Sequence, residues 1–288
     1  MMKQLVLGMA LIFLISVPGC TAQETEFTEV IKKEIQMGNQ DSNTLVVKNV
    51  FGSVSVEGYN GNTIQLDAEK TITADTKEEL ELGKEELKLN IIEESDRVVL
   101  HPDAPYIDFD GKNLKYNWCN NHDEPSYEHV LNIKIKVPNK LKLNISTVNN
   151  GEVVIKETRG TDIKAENING GIALTNVTGK TKVHCINGAV DISYADNPDS
   201  ASEYYSLNGD INISYQKSLS ANISFKSMNG EMFTDFDVNK QFMRTKKKTG
   251  KGNKPKYKYE ARPVVQIGSG VVDFDFETLN GNVFIKKI

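Results

Sequence analysis

A short unit built around Asn-Gly recurs along the second half of this chain and constrains the fold more than any other feature. Each copy has an aliphatic residue shortly before Asn-Gly, then one variable residue, then apolar residues at alternate positions. From Gly151 to Gly230 the glycines of successive Asn-Gly sites are 19, 18, 21 and 21 residues apart, a period typical of stacked solenoid units. The repeated sites are Asn150, Gly151, Asn169, Gly170, Asn187, Gly188, Asn208, Gly209, Asn229, Gly230, Asn280 and Gly281.

The two residues of this unit suit the corners of a coil. Glycine reaches positive φ at a corner without strain, and stacked asparagines can hydrogen-bond to one another as a ladder. We therefore expect one corner column of Asn150, Asn169, Asn187, Asn208 and Asn229. The aliphatic residues then point inward, namely Val153, Ile155, Ile172, Leu174, Val190, Ile192, Ile211 and Ile213. This pattern predicts an all-β fold, a right-handed single-stranded β-solenoid with one short helix.

An antiparallel β meander is the alternative, because Asn-Gly is also a strong hairpin signal. Strands of five to seven residues between glycines fit both folds. A constant Asn-Gly corner at every second turn is natural in a coil and accidental in a meander, which favours the solenoid.

The first residues read as an export signal. Lys3 precedes an apolar run that is too short to cross a bilayer. The ending Val17-Pro18-Gly19-Cys20 resembles the lipobox of bacterial lipoproteins, which predicts lipidation of Cys20; cleavage after Ala22 is the alternative. We divide the chain into a signal peptide (1–19), a tether (20–29), an N-terminal β region (30–146) and the Asn-Gly solenoid (147–288). The expected location is the outer membrane or cell surface.

The N-terminal β region contains two departures from short strands. Residues 76–89 predict a modest helix in which Asp75 caps the first turn with Glu78. The irregular stretch 101–129 could hold a metal through Cys119 and His122 with His101 or His129, or calcium through Asp108 and Asp110. A surface loop explains it more simply, so we expect no metal and no cofactor.

Two cysteines, Cys119 and Cys185, remain besides Cys20. An exported protein could join them in a disulfide. Cys185 alternates in phase with Val183 and so points inward, where a free thiol packs as a small hydrophobe. The unpaired state is therefore favoured.

A basic insertion interrupts the array at residues 240–262. It contains ten Lys or Arg and one acid, a net +9 in a chain of net charge -5. A projecting arm of this kind could bind an anionic ligand by charge and stacking, through Arg244, Lys246, Lys247, Lys248, Lys251, Lys254, Lys256, Tyr257, Lys258 and Tyr259. The alternative is a solvated hairpin that faces the acidic body.

Several segments together resemble a bacterial adhesin-like family of unknown function built on β-strand repeats. They are Gly52-Ser53-Val54-Ser55-Val56-Glu57-Gly58, Ile135-Lys136-Val137-Pro138, the Asn-Gly series and Leu279-Asn280-Gly281-Asn282-Val283. The resemblance implies an envelope protein, often a lipoprotein, and brings no catalytic residues.

The expected function is a non-enzymatic, adhesin-like or structural envelope scaffold. Its expected partners are the membrane, through the lipid anchor, and an envelope glycan or another surface protein; nucleic acid is not expected. One alternative is a binding or sensing module that captures an anionic ligand through the basic arm. A polysaccharide-acting enzyme is disfavoured because the outward positions form no carboxylate cluster, being Val154, Ala173, Asp191, Asn212 and Phe233.

Overall fold

The structure, a computed structural model, describes residues 25–37, 43–117, 124–249 and 257–288. At residues 246–249 and 257–260 it describes the backbone only. Cys20, Cys119 and His122 lie outside the described residues.

One helix and a long series of strands make up the described residues. The helix is α1 (Lys77–Glu86). The strands are β1 (Thr25–Gln36), β2 (Thr44–Lys48), β3 (Val54–Tyr59), β4 (Thr63–Ala74), β5 (Lys88–Glu93), β6 (Arg97–Asp103), β7 (Phe109–Asp110), β8 (Lys115–Tyr116), β9 (Glu128–Pro138), β10 (Lys142–Thr147), β11 (Val153–Lys156), β12 (Asp162–Asn169), β13 (Ile172–Val177), β14 (Lys180–Asn187), β15 (Val190–Tyr194), β16 (Ser202–Asn208), β17 (Ile211–Tyr215), β18 (Ala221–Lys226), β19 (Met232–Thr234), β20 (Val238–Thr249), β21 (Tyr257–Ile267), β22 (Val272–Asn280) and β23 (Val283–Lys287).

Two large sheets share all of these strands except β7 and β8, which pair with each other. Sheet A has the order β1-β4-β9-β3-β11-β13-β15-β17-β23-β19, and sheet B has the order β20-β21-β18-β22-β16-β14-β12-β10-β2-β6-β5. From β10 to β17 the chain alternates between the sheets, and each strand pairs in parallel with the strand two positions later. The alternative of an antiparallel meander is therefore wrong for the repeats, because hairpin turns would pair consecutive strands.

The last coil is out of sequence order. Strands β22 and β23 lie between β16 and β18 in sheet B and between β17 and β19 in sheet A. Strands β18 and β19 therefore form the end coil. The chain then forms the β20–β21 hairpin, and β22 and β23 form the coil between the end coil and the coil of β16 and β17.

The N-terminal strands belong to the same two sheets. β3 pairs in parallel with β11, and β2 pairs in parallel with β10, so the sheets run without a break across the boundary set at residue 147. β1 begins at Thr25. Residues 25–29, assigned above to the tether, therefore lie in a strand that pairs along its whole length with β4.

Helix α1 begins one residue later than predicted. Thr76, not Asp75, is the N-cap: its hydroxyl accepts from the Glu79 amide at 3.2 Å, and the Glu79 carboxylate accepts from the Thr76 amide at 3.1 Å. This reciprocal box satisfies two amides at once. Gly83 packs against sheet A, since a Cβ there would meet Ile72 at 2.7 Å. Within the described ranges, the structure has no helix of the length and apolarity that crossing a bilayer requires.

Alternate side chains fill the space between the sheets. All eight aliphatic residues predicted to point inward are buried, namely Val153, Ile155, Ile172, Leu174, Val190, Ile192, Ile211 and Ile213. A tyrosine cluster extends this core. The Tyr204 hydroxyl lies 2.7 Å from that of Tyr194 and 3.0 Å from that of Tyr215, which donates to it.

The asparagine ladder exists, with two corrections to its members. Side-chain amides join Asn149, Asn169, Asn187, Asn208, Asn280 and Asn229 in that order, at 2.6, 2.8, 2.9, 2.8 and 2.8 Å. Asn149 occupies the first position because that corner has one extra residue before β11, and Asn150 is the residue displaced, at φ 57°. Asn280 separates Asn208 from Asn229 because the last coil is inserted.

A column of glycines runs beside the ladder, and the predicted positive φ explains only part of it. Gly170 and Gly209 adopt φ 156°, whereas Gly188 does not have positive φ. A Cβ on Gly188 would lie 2.3 Å from the Gly170 carbonyl oxygen, and one on Gly209 would lie 2.1 Å from that of Gly188. Close stacking of successive corners therefore also requires glycine here, and the intermediate corner at Gly179 adopts φ 85°.

Candidate functional site

Residues 104–117, from the irregular stretch 101–129, cover part of the outer face of sheet B. The Tyr116 hydroxyl donates to the Lys48 carbonyl at 2.6 Å, and the His101 ring stacks on Phe109 with centroids 4.1 Å apart. Val46 and Val99 lie on the outer face, opposite the core side chains of their strands, yet each is 1% exposed. This segment is therefore a packed cover over the first coils.

A cavity of about 690 Å³ lies where this cover meets the first corner of the coil. Its walls are aromatic and acidic. The aromatic lining residues are Phe51, Tyr106, Tyr116 and Tyr127, and the acidic ones are Asp108, Glu124 and Glu128. None of the described residues that line it is Lys or Arg. The cavity also contacts His129 and Asn150.

Two hydrogen bonds lie behind one wall of the cavity. The Tyr127 hydroxyl donates to the Glu86 carboxylate at 3.0 Å. The Tyr106 hydroxyl lies 3.1 Å from His129 Nδ1. In the neutral tautomer that donates Nδ1–H to Tyr106, the Nε2 of His129 is an acceptor.

His129 is an uncharged member of the cavity wall. Its side chain is buried, and Nε2 has no hydrogen-bond partner. Burial lowers the pKa of His129 to about 4, because the imidazolium loses its hydration there. Burial likewise raises the pKa of Tyr127. At neutral pH, His129 and Tyr127 therefore make this wall polar and add no positive charge to it.

The asparagine ladder ends at this cavity. Phe51 forms an isolated parallel bridge with Asn149 and so stands where later coils have asparagine. The left-handed Asn150 next to it contacts the cavity. The irregular sequence of 101–129 indicates a special region, but Phe51 was not among the predicted site residues. The signal that could have identified Phe51 is that phenylalanine stands at the position where later coils have asparagine.

The histidines and acids considered as metal ligands have other partners. His101 Nδ1 donates to the Pro102 carbonyl at 2.8 Å, and its Nε2 accepts from the Asn90 amide at 3.1 Å. The Asp110 carboxylate accepts from the amides of Lys112 and Asn113, which makes it a turn-forming residue. Among the described residues no group of three or more His, Cys, Asp or Glu could hold a metal ion.

Cys185 carries a free, buried thiol. Its Sγ donates weakly to the carbonyls of Gly170 and Gly188 at 3.3 and 3.4 Å. Burial raises its pKa to about 11, so the thiol is protonated at neutral pH. Its inward direction agrees with the alternation predicted from Val183.

The basic insertion forms the antiparallel pair β20–β21, next to β18 in sheet B. Two arginines bind its base to the coil: Arg244 pairs with Asp273 at 2.7 Å and Arg262 with Glu277 at 2.8 Å. Lys246, Lys247, Lys248, Lys258, Tyr257 and Tyr259 lie in its paired backbone, and Lys251, Lys254 and Lys256 are outside the described residues. The hairpin and the cavity adjoin opposite ends of the sheets and do not form one site.

Comparisons with solved structures and with known families gave the following matches. Three solved structures are similar over most of their length: a candidate cell adhesion protein from Clostridium sporogenes (11% identity, 92% of this chain and 100% of that chain, TM-score 0.38), a candidate adhesin from Bacteroides fragilis (8%, 90% and 97%, 0.34) and a candidate lipid-binding protein from Parabacteroides distasonis (14%, 90% and 96%, 0.25). Their names describe those proteins alone.

A search of curated proteins found no match to the chain. The family model described as Toastrack DUF4097 matches residues 110–264, more than half of the sequence. The match includes β10 to β20, the strands that build most of the coil. The chain therefore belongs to the Toastrack DUF4097 family, a family of unknown function.

Proposed function

We propose that this protein is a non-enzymatic, adhesin-like scaffold of the bacterial cell envelope. The observation that supports this most is the continuous stack: two sheets share one core, and six asparagines form an unbroken ladder along one corner. Each coil contacts the next through backbone and side-chain hydrogen bonds, as in solenoids that present an extended binding surface. A stack of this kind is suited to presenting a binding surface at the cell envelope.

The coil is proposed to be right-handed and single-stranded, with one strand per sheet in each turn. Parallel strands of one sheet that are joined by a crossover are right-handed in about 98% of cases. Strands β11 and β13 are joined in this way through β12 of the other sheet.

The proposed anchor is a lipid on Cys20, after removal of the signal peptide 1–19. The support is the lipobox-like ending Val17-Pro18-Gly19-Cys20. Labelling cells with a palmitate analogue tests it. We expect label in the wild-type protein and none in Cys20→Ala, with Ser200→Ala as a matched control that keeps the label. Membrane retention of Cys20→Ala equal to that of the wild type would refute the anchor.

Catalysis is not part of this proposal. The outward row of sheet A, read from the strand register, contains Val154, Ala173, Asp191, Asn212, Phe284 and Phe233. Phe284 is an addition to the row predicted from the sequence. Asp191 is the single carboxylate among these six residues, and it accepts from Asn212 at 3.0 Å. Glycoside hydrolysis normally uses two carboxylates facing one bond.

A second proposed activity is capture of an anionic ligand by the β20–β21 hairpin. The supporting observation is that the paired strands continue past the two arginine ion pairs at the base, through a segment rich in lysine. Retention on immobilised heparin and on anionic phospholipid vesicles tests it. We expect retention that falls steeply with salt and is lost when residues 246–258 are replaced by a short Gly-Ser turn. Retention that is indifferent to both changes would exclude this activity.

A further inference from the structure

We infer that the cavity beside Phe51 and His129 binds a small ligand that carries an organic ammonium group. Its volume of about 690 Å³ is within the range of small-molecule sites, which are concave and largely apolar with a few polar groups. Nothing in this inference depends on the envelope location or on the basic hairpin.

Aromatic rings supply the first recognition element. Phe51, Tyr106, Tyr116 and Tyr127 all line the cavity. The rings of Tyr106 and Tyr127 are tilted by 67° with centroids 6.0 Å apart, so they present differently oriented faces. An aromatic face attracts an ammonium ion through its negative π cloud, and several such faces form the usual cage for alkylammonium groups.

The charge of the lining supplies the second element. Two exposed carboxylates, those of Glu124 and Glu128, line the cavity, and none of the described lining residues is Lys or Arg. Lys48, which lies next to the cover, directs its ammonium to Asn144 at 3.0 Å and Glu166 at 3.3 Å. The carboxylates of Glu124 and Glu128 would therefore repel a carboxylate ligand and attract an ammonium ion.

His129 supplies the third element. Its side chain is 7% exposed and lines the cavity. Burial lowers the pKa of His129 to about 4, so the imidazole is uncharged at neutral pH. This wall therefore adds no positive charge that would repel an ammonium ion.

A charge series tests the ligand class. The probes are 2-phenylethylammonium, 2-phenylethanol and 3-phenylpropionate, which have similar shapes and carry a positive, a neutral and a negative group. Each is titrated calorimetrically into the full-length chain in a non-ionic detergent. We expect the ammonium probe to bind about tenfold more tightly than the alcohol, and the carboxylate to bind most weakly.

Matched variants place the binding in the cavity. Glu128→Gln should weaken the ammonium probe about fivefold, and Phe51→Leu should weaken it further. Glu34→Gln, an exposed glutamate on β1 of the same sheet, and Phe233→Leu, an exposed ring at the other end, should leave binding unchanged. Thermal melting of each variant checks that it is folded, and Glu128→Gln keeps the test valid if Phe51→Leu does not fold.

The results of these titrations either support or overturn ammonium binding in the cavity. The expected order of the probes, with loss in Glu128→Gln and none in Glu34→Gln, supports the inference. Equal binding of the ammonium and the alcohol, tightest binding of the carboxylate, no binding of any probe, or insensitivity to Glu128→Gln in a folded protein would each overturn it. None of these outcomes bears on the lipid anchor.

Discussion

Phe51 pairs with Asn149 through an isolated parallel β-bridge, at the corner where each later coil places asparagine against asparagine. The ring of Phe51 also meets His129 edge to face, with centroids 5.1 Å apart and planes at 83°. One residue therefore ends the ladder and forms part of the cavity wall. The repeated architecture and the candidate site meet at this position.

The ladder should contribute measurably to stability. Asn187→Ala removes one hydrogen bond to Asn169 and one from Asn208, and we expect a loss of about 1 to 2 kcal/mol in the free energy of unfolding. Asn150→Gly, which removes an asparagine beside the ladder from a left-handed position, should change it by less than about 0.5 kcal/mol. Urea denaturation measures both. Equal losses would mean that the ladder has no special role.

The glycine column should tolerate no side chain. A Cβ at Gly188 would lie 2.3 Å from the Gly170 carbonyl oxygen, and its other near neighbours are also backbone atoms, so adjacent coils must separate. We expect Gly188→Ala to cost about 3 kcal/mol or more. At Gly111 the nearest atom is 3.8 Å away, and Gly111→Ala should be neutral or slightly stabilising. A Gly188→Ala protein with wild-type stability would contradict the close stacking.

The buried tyrosine cluster should depend on its central hydroxyl. Tyr204→Phe leaves the hydroxyl of Tyr215 without its acceptor, and an unsatisfied buried group costs about 1 to 3 kcal/mol. Tyr205→Phe, on the neighbouring outward position, should cost less than about 0.5 kcal/mol. Thermal denaturation of the two variants compares them directly. A smaller loss for Tyr204→Phe than for Tyr205→Phe would be inconsistent with the hydrogen-bonded cluster.

His129 should make the protein sensitive to acid. Its folded-state pKa of about 4 is below the ordinary value of about 6.5, so the unfolded chain binds this proton more readily. Stability from this group is complete above about pH 6.5 and declines as the pH falls toward 4, by up to about 3 kcal/mol.

Urea denaturation at pH 7 and pH 4.5 measures this dependence in the wild type and in His129→Gln. The variant should lose less stability between the two pH values. His101 and His184, whose pKa values burial also lowers, are present in both proteins and act as an internal control. Identical losses would show that His129 does not titrate as described.

The period and turn chemistry were enough to predict parallel coils and their inward residues. They could not reveal that Asn149 replaces Asn150, because the displacement depends on one extra residue in the first corner, and either asparagine fits the local pattern. They also could not place Asn280 between Asn208 and Asn229. That order results from the return of the chain after β20–β21, which is a property of the tertiary fold.

The cavity was beyond sequence reasoning for a related reason. Tyr106, Tyr127 and His129 lie close in the sequence, and the irregular composition around them does indicate a special region. Phe51 and Glu86 come from distant elements and join them only when the cover packs on the first coils. Local patterns describe periodic structure well, whereas a site at the break in a repeat depends on contacts across the sheet.

The most direct test of this account is to map the ammonium probe by NMR on protein labelled with ¹³C in the rings of phenylalanine and tyrosine. We predict that 2-phenylethylammonium shifts the ring signals of Phe51, Tyr106 and Tyr127 and leaves those of Phe233 and Phe284, at the opposite end of sheet A, unchanged. Shifts confined to Phe233 and Phe284, or no shift at Phe51, would contradict a site at the break in the ladder.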